Sequence, residues 1–299
     1  MSALPPRAVI VTRQTELTAL LERHATLGQV AFFLDSRGEA LAPVEARHAL
    51  QVEALKAARA AIPADWSMAQ VERSQLDRFQ FSARDVVVCL GQDGLVANVA
   101  KYLDGQPVIG TPVDAARNSG VLTRTPLPRL AELCPAVAAR QVRLEPRTMA
   151  RAQLSDGQSL LALNEIFIGH ETHQSARYLI RHADREEHHS SSGVIVSTGT
   201  GLSGWARSIL AATGARADLE PTDTALFFMA REPWPSAFTG TELRHGRVDR
   251  EAPLSLRSRL DEGGVIFADG IESDALGFGW GTRVDVRAAA QTLNLVAET

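Results

Sequence analysis

The spacing of apolar and polar positions changes character partway along the chain. Early on, short apolar runs alternate with stretches of helical spacing. "AVIVT" (8–12) and "QVAFFL" (29–34) have the apolar density of buried strands, and "ELTALLERHATL" between them sets its apolar residues near helical spacing. This reads as a βαβ start. A longer helix is predicted through "EARHALQVEALKAARAAI", where Ala49, Leu50, Ala54, Leu55, Ala58 and Ile62 share one face and Pro63 marks the stop. "DVVVCL" predicts another buried strand, followed by a tight turn, a helix from about Leu95 to Leu103 and a further strand at "PVIGT". Strands alternating with helices predict a parallel, doubly wound α/β domain over 1–125.

Beyond about residue 125 the helical spacing gives way. "RTPLPRLAELCPA" is Pro-rich and reads as linker. After it "RQVRLEPRTMARAQL", "SLLALNEIFIG", "SARYLIRHA", "SGVIVST", "ALFFMA" and "GVIFADG" read as short strands between polar turns. One helix interrupts them, at "LSGWARSILAAT". The expectation is a second, mainly antiparallel β domain over 126–299.

Composition narrows the function classes. With 299 residues and 45% hydrophobic content the chain can bury two cores. The formal net charge of −4 supplies no basic field for nucleic acid or anionic lipid, and arginines look scattered. The two cysteines, Cys89 and Cys134, make neither a disulfide framework nor a metal spacing, which fits a reducing compartment. No run has the length of a membrane span or a signal-peptide core, so the expectation is a cytoplasmic protein.

Three stretches could carry chemistry. In "DVVVCLGQDGLVANVA", Gly91 and Gly94 allow close backbone approach at the C-terminal end of a strand, where ligands of doubly wound sheets bind. Asp93 between them either caps the following helix or assists phosphoryl transfer, since a carboxylate beside phosphate is repulsive unless it holds a metal or accepts a proton. In "LLALNEIFIG", Asn164 and Glu165 interrupt an apolar strand, an arrangement that suits either ribose hydroxyls or a polar turn. In "SSSGVIVSTGTGLSGWARSIL", a strand runs through a hydroxyl-rich "TGTG" into a helix starting near Leu202, with Trp205 available for stacking on a base or for core packing. No P-loop lysine is present, and the glycines do not form a dinucleotide fingerprint. His170, His173, His182, His188 and His189 lack zinc-ligand spacing, and "EEHHSSS" reads as a polar hairpin tip.

Taken in order, "GQDG", "LNE" and "STGTGLSGW" resemble the successive GGDG, NE and TPTGSTAY motifs of the NAD kinases. "ALNEIFIG", the "SSG" before a strand, the Trp of the third motif and "GQPVIGTPVDAARNSGVL" resemble the branch that includes the mitochondrial NAD kinases. The resemblance implies a Rossmann-like α/β domain followed by a β-sandwich, and transfer of a phosphate from ATP or polyphosphate to the adenosine 2′-hydroxyl of NAD, assisted by Mg²⁺. By the same resemblance Asp93 is the catalytic aspartate, and Gly91, Gln92 and Gly94 form the phosphate loop. Asn164 and Glu165 hold the nucleoside, Thr198, Thr200, Gly201 and Trp205 form the nucleotide loop, and Asp269 of "FADGIE" belongs to a late DG motif. It further implies small-molecule nucleotides as partners and a homodimer or larger homo-oligomer.

Departures from the family pattern leave two other readings. Gln92 replaces a glycine, Leu95 and Leu202 replace hydroxyl residues, and Pro112 stands where the family has Asn. Each lost hydroxyl removes about 1–3 kcal/mol of interaction with a desolvated partner. One alternative is a catalytically silent NAD(P) sensor of the same fold. The other is a kinase of that fold acting on a lipid or sugar.

Overall fold

The computed structural model describes residues 5–114 and 120–297, and the chain divides into two compact units. The first comprises Met1–Leu144 with Asn294–Thr299, and the second Glu145–Leu293.

The first unit is built on parallel strands β1 (Arg7–Thr12), β2 (Ser67–Glu72), β3 (Asp85–Leu90) and β4 (Pro107–Thr111), in the order β2-β1-β3-β4. Asn294 and Leu295 add a short parallel segment beside β4. Helices α1 (Glu16–His24), α2 (Leu27–Asp35), α3 (Leu41–Ala61), α4 (Asp93–Ala100) and α5 (Leu130–Ala138) accompany the strands. Every residue of β3 is buried, as its apolar run predicts for a central strand covered on both faces. The one charge there, Asp85, accepts two hydrogen bonds from the Arg7 guanidinium at 2.9 and 2.6 Å and one from the Ser82 N–H at 2.7 Å.

Three expectations change in this unit. "QVAFFL" belongs to helix α2, whose Thr26 hydroxyl caps the Gln29 N–H. Val30 and Leu34, four residues apart, are buried with Leu17 and Val44 while Phe32 is exposed. A run of five apolar residues fits both periods, and a cap and a helical neighbour decided this one. The neighbour of β1 is instead β2, an edge strand burying only Val71. The division falls at residue 144 rather than 125, because α5 packs Leu130, Leu133, Cys134 and Val137 against Ile10, Val88 and Ile109.

The second unit is a sandwich. Its strands are β5 (Leu144–Leu154), β6 (Ser159–Ala162), β7 (Glu165–His170), β8 (Ala176–His182), β9 (Arg185–Ser191), β10 (Val194–Ser197), β11 (Leu226–Ala230), β12 (His245–Val248), β13 (Leu254–Ser258), β14 (Gly264–Ala268), β15 (Ile271–Gly277) and β16 (Arg283–Val296). Helix α6 (Trp205–Thr213) follows β10. One sheet runs β16-β13-β8-β9, with β5 pairing β16 and β6; the other runs antiparallel in the order β12-β11-β10-β7-β14-β15. Alternate residues from both sheets interdigitate, among them Ile166, Ile168, Tyr178, Ile180, Val194, Val196, Phe228, Leu256 and Val286.

Here too the histidine-rich stretch differs from its expectation. "EEHHSS" is strand β9, paired along its length with β8. His189 is buried, with Nε2 2.7 Å from Glu187 Oε2 and its ring beside the buried Tyr178, whose hydroxyl lies 2.6 Å from Ser191 Oγ. Alternation put polar side chains on an inward face, where they bond one another. Among the described residues no helix is long and apolar enough to cross a membrane. Burial raises the thiol pKa of both cysteines, that of Cys134 to about 12, so neither is a thiolate at neutral pH.

Candidate active site

In the first unit the GQDG turn joins β3 to α4. Gly91 donates its N–H to the Thr111 carbonyl at 2.9 Å, which ties the turn to the end of β4. Gln92 occupies the N-cap position and makes no side-chain cap, so Asp93 is the first residue of α4 and does not cap it. Its carboxylate faces another loop. Oδ1 accepts the Leu122 N–H at 3.0 Å, the Thr123 N–H at 2.9 Å and the Thr123 hydroxyl at 2.9 Å, while Oδ2 accepts the Val121 N–H at 2.7 Å. Gly120 leaves room for this contact: a Cβ there would lie 1.9 Å from Asp93 Oδ1. An ionised carboxylate offers about four acceptor positions, so Oδ1 is saturated and, among the described residues, Oδ2 retains one lone pair. Leu95, in place of the family's hydroxyl residue, is 4% exposed and packs into the unit as an ordinary apolar side chain. Of the stretch similar to the mitochondrial branch, residues 115–119 lie outside the described residues.

Beyond the C-terminal ends of β1, β2 and β3 lies a cavity of about 700 Å³. Arg13, Gln14, Arg73, Gly91, Gln92 and Gly94 are among its lining residues. Such crevices are where open parallel sheets bind ligands. The arginines were not legible as site residues because no local pattern sets them apart from the other arginines.

In the second unit the chain bends between β6 and β7, and this bend carries Asn164 and Glu165. Asp269, in the tight turn between β14 and β15 with φ +53°, receives the bend. Its Oδ2 accepts the Leu163 N–H at 2.8 Å, and its Oδ1 accepts the N–H groups of Asn164 at 2.8 Å and Glu165 at 3.1 Å. The Asp269 N–H in turn donates to the Glu165 carbonyl at 3.1 Å. Asp269 therefore positions the Asn-Glu pair through the backbone.

The TGTG loop closes on the same bend. Thr198 donates its N–H to the Asn164 carbonyl at 2.9 Å and its hydroxyl to the Leu163 carbonyl, and that hydroxyl accepts the Gly201 N–H at 3.1 Å. Gly201 has no alternative residue here, since a Cβ would stand 2.1 Å from the Asn164 carbonyl oxygen. Thr200 is buried and its hydroxyl accepts from Arg147 Nη1 at 3.3 Å, with Arg147 also paired to Glu145 at 2.9 Å. Both threonine hydroxyls are thus engaged within the fold. The helix expected near Leu202 begins at Trp205, after a 3₁₀ turn over Gly201–Ser203.

Two groups in this unit face outward chemically. Glu165 is 8% exposed, and its Oε2 is buried with no hydrogen-bond partner among the described residues. Burial first, and then the negative charge of Asp269, push its pKa up to about 8. Trp205 is stacked on Phe167 with ring centroids 5.9 Å apart, and the Arg231 guanidinium lies 5.2 Å from the indole centroid. Together with Phe267 and His170 these residues line a cavity of about 550 Å³. Among the described residues no cluster of three His, Cys, Asp or Glu side chains could hold a metal ion.

No protein-family model matches the chain, and no curated protein matches its sequence. Solved structures do match. A yeast NADH kinase complexed with NADH superposes with a TM-score of 0.59 at 14% identity, covering 99% of this chain and 84% of that one. An NAD kinase from Archaeoglobus fulgidus in complex with ATP superposes with a TM-score of 0.56 at 18% identity, covering 97% of this chain and 93% of that one. With the α/β unit, the antiparallel sandwich and both site loops inside the matched length, this chain has the fold of the NAD kinases.

Proposed function

We propose that the chain is an NAD(H) kinase. In the reaction the adenosine 2′-hydroxyl oxygen bonds to the terminal phosphorus of ATP or polyphosphate, the phosphoanhydride P–O bond breaks with its electron pair leaving on the departing phosphate, and the hydroxyl proton passes to a base. Asp93 is that base, accepting the proton on Oδ2. Gly91, Gln92 and Gly94 bound the donor's phosphates. Asn164 and Glu165 hold the nucleoside hydroxyls, with Asp269, Thr198, Thr200 and Gly201 positioning them, and Trp205 stacks on a planar ring. Mg²⁺ would travel on the donor's phosphates, which need only one or two protein carboxylates and no dedicated cage. A homodimer or larger homo-oligomer goes with this reading and is checked by light scattering.

The observation that carries the proposal is Glu165. A buried carboxyl with an unpartnered oxygen costs about 1–3 kcal/mol unless something completes it, and the ribose hydroxyls of a nucleotide are donors of the right kind. One observation favours the silent-sensor reading: in this conformation Asp93 serves as an anchor for residues 121–123. NADP formation from NAD, ATP and Mg²⁺, read through an NADP-specific dehydrogenase with Asp93→Asn alongside, separates the two. Turnover that collapses in the variant supports the kinase. Saturable NAD binding with no turnover from any donor supports the sensor.

A further inference from the structure

Arginines that look scattered along the sequence gather on one face of the second unit. In β8, β13 and β16 the core takes alternate residues, among them Tyr178 and Ile180, Leu254 and Leu256, Val284 and Val286, so their neighbours along each strand point away from it. Six of these outward side chains are exposed arginines: Arg177 and Arg181 on β8, Arg257 on β13 with Arg259 just past its end, and Arg283 and Arg287 on β16. Register brings them together. Arg257 lies directly opposite Arg283, and Arg259 donates its N–H to the Arg177 carbonyl at 2.9 Å, which sets those two opposite as well. Strands lie about 4.8 Å apart and alternate residues of one strand about 6.7 Å apart, so the two pairs are neighbours. Like charges directly opposite destabilise a sheet. Carboxylates relieve this only in part: Asp285 pairs with Arg283 at 3.3 Å, while Glu186, opposite Arg181, and Glu251 at the rim make no ion pair with any of the six among the described residues.

Two further observations narrow the partner. Trp280, in the loop between β15 and β16, is 63% exposed, and the Arg259 guanidinium lies 6.0 Å from its ring centroid, so the arginines have an aromatic platform at one end. The face is also hollowed: a cavity of about 580 Å³ opens on it, with Arg181, Arg257 and Arg283 in its lining beside Glu186, Glu251 and Asp285. A second copy of this chain would set arginine against arginine across a two-fold axis. A membrane contact needs an apolar face to bury, whereas here one tryptophan stands beside a recess. Guanidinium groups that match phosphate, with an exposed ring on which a base stacks, are what a single nucleic-acid strand requires. We propose that this face of the second unit binds single-stranded nucleic acid, with Arg177, Arg257 and Arg259 on the phosphates and Trp280 stacked on a base. Such contacts serve any base, so binding is independent of sequence. The net charge of −4 conceals the face because most of the acidic residues lie off it. The assignment is independent of the kinase reading.

The test is fluorescence anisotropy of labelled oligouridylate and oligothymidylate, titrated with the full chain. Beside the wild type stand the double variant Arg177→Ala/Arg257→Ala, Trp280→Ala, and the control Arg216→Ala, an exposed arginine in the segment after α6. All the substituted residues are exposed, and matching melting curves check the fold. The expected result is saturable binding of both oligomers at low salt, weakened about tenfold or more by the double substitution, about fivefold or more by Trp280→Ala, and unchanged in the control. The logarithm of affinity should fall against the logarithm of salt concentration with a slope of about −2, as for three phosphate contacts on a single strand. Absence of binding at about 50 mM salt, or binding that both face variants leave intact, overturns the proposal. So does inorganic polyphosphate binding as tightly as the oligomers with Trp280→Ala without effect, which marks a general anion site. Capture by phosphatidylserine vesicles without oligomer binding also overturns it, in favour of a membrane contact. NADP formation should be the same in the wild type and the face variants; turnover lost in parallel with oligomer binding would place the oligomers in the nucleotide site and overturn the assignment to this face.

Discussion

Asp93 in the first unit and Asp269 in the second are built alike: each carboxylate accepts three consecutive backbone N–H groups, from residues 121–123 and 163–165. What they hold differs. Asp93 stands at the start of a helix in an extended motif and anchors a loop about thirty positions later. Asp269 reaches back more than a hundred positions from a turn with φ +53°, and the bend it pins carries a second carboxyl, Glu165, whose Oε2 has no hydrogen-bond partner among the described residues. The same cradle thus leaves a different group available. In one unit it is the remaining lone pair of the cradled aspartate itself, and in the other it is the neighbour.

The largest effect is expected at the cradle that spans the longer separation. Asp269→Ala strands three N–H groups, and each costs about 1–3 kcal/mol when desolvated, so a loss of roughly 3 kcal/mol or more is expected in urea unfolding. A shift below about 1 kcal/mol would mean that water replaces the carboxylate and that the cradle is not structural. Asp93→Asn keeps one acceptor oxygen but turns an amide N–H₂ toward backbone donors, so stability should fall by about 2 kcal/mol. NADP formation should drop at least about a hundredfold if the carboxylate is also the base. Lost stability with retained turnover would reduce Asp93 to an anchor and make the two aspartates fully equivalent.

Glu165→Gln sharpens the difference between them. Because the folded-state pKa is raised from 4.5 to about 8, the wild type carries its full stability below pH 4.5 and loses it as the pH rises toward 8. The glutamine variant should lack that slope and be more stable than wild type at pH 8, by on the order of 2 kcal/mol, while losing nucleotide affinity. Parallel pH profiles of melting temperature for the two proteins would show that Glu165 is ionised at no unusual cost. A smaller effect is expected from Gly120→Ala, whose Cβ meets Asp93 Oδ1, at about 1 kcal/mol of overpacking. Gly94→Ala, with nothing within 4 Å of its Cβ, should change stability by less, and equal losses at the two positions would dissociate Gly120 from the Asp93 cradle.

Much of the architecture was legible residue by residue. β1, β3, β4, the long helix α3 and strands β5, β6, β7, β8, β10, β11 and β14 of the sandwich follow from runs in the sequence, whereas β9, read as a hairpin tip, and β12, β13, β15 and β16 do not. "QVAFFL" did not, because five apolar residues fit a helix and a strand equally and the outcome rested on contacts with Leu17 and Val44. Within the candidate site, Asp93, Asn164, Glu165 and Trp205 stood out as polar or aromatic residues breaking an apolar or Gly-rich pattern, and Asp269 only through its resemblance to a late DG motif. Arg13, Arg73 and the 121–123 loop did not stand out, since one more arginine or one more loop amide changes no pattern.

Periodicity and turn chemistry, which act over a few residues, suffice to specify two domains, one of alternating strands and helices and one of antiparallel strands, and to place the GQDG, NE and TGTG stretches at element ends. The tertiary structure alone decided what those stretches do to one another. It cradled Asp93 on residues 121–123, made Asp269 the positioner of Asn164 and Glu165, engaged the hydroxyls of Thr198 and Thr200 inside the fold, and left Glu165 Oε2 buried without a partner among the described residues. The reason is physical: a hydrogen bond or a desolvated charge depends on which atoms meet in space, and partners about thirty or more than a hundred positions apart leave no trace in the local spacing of side chains.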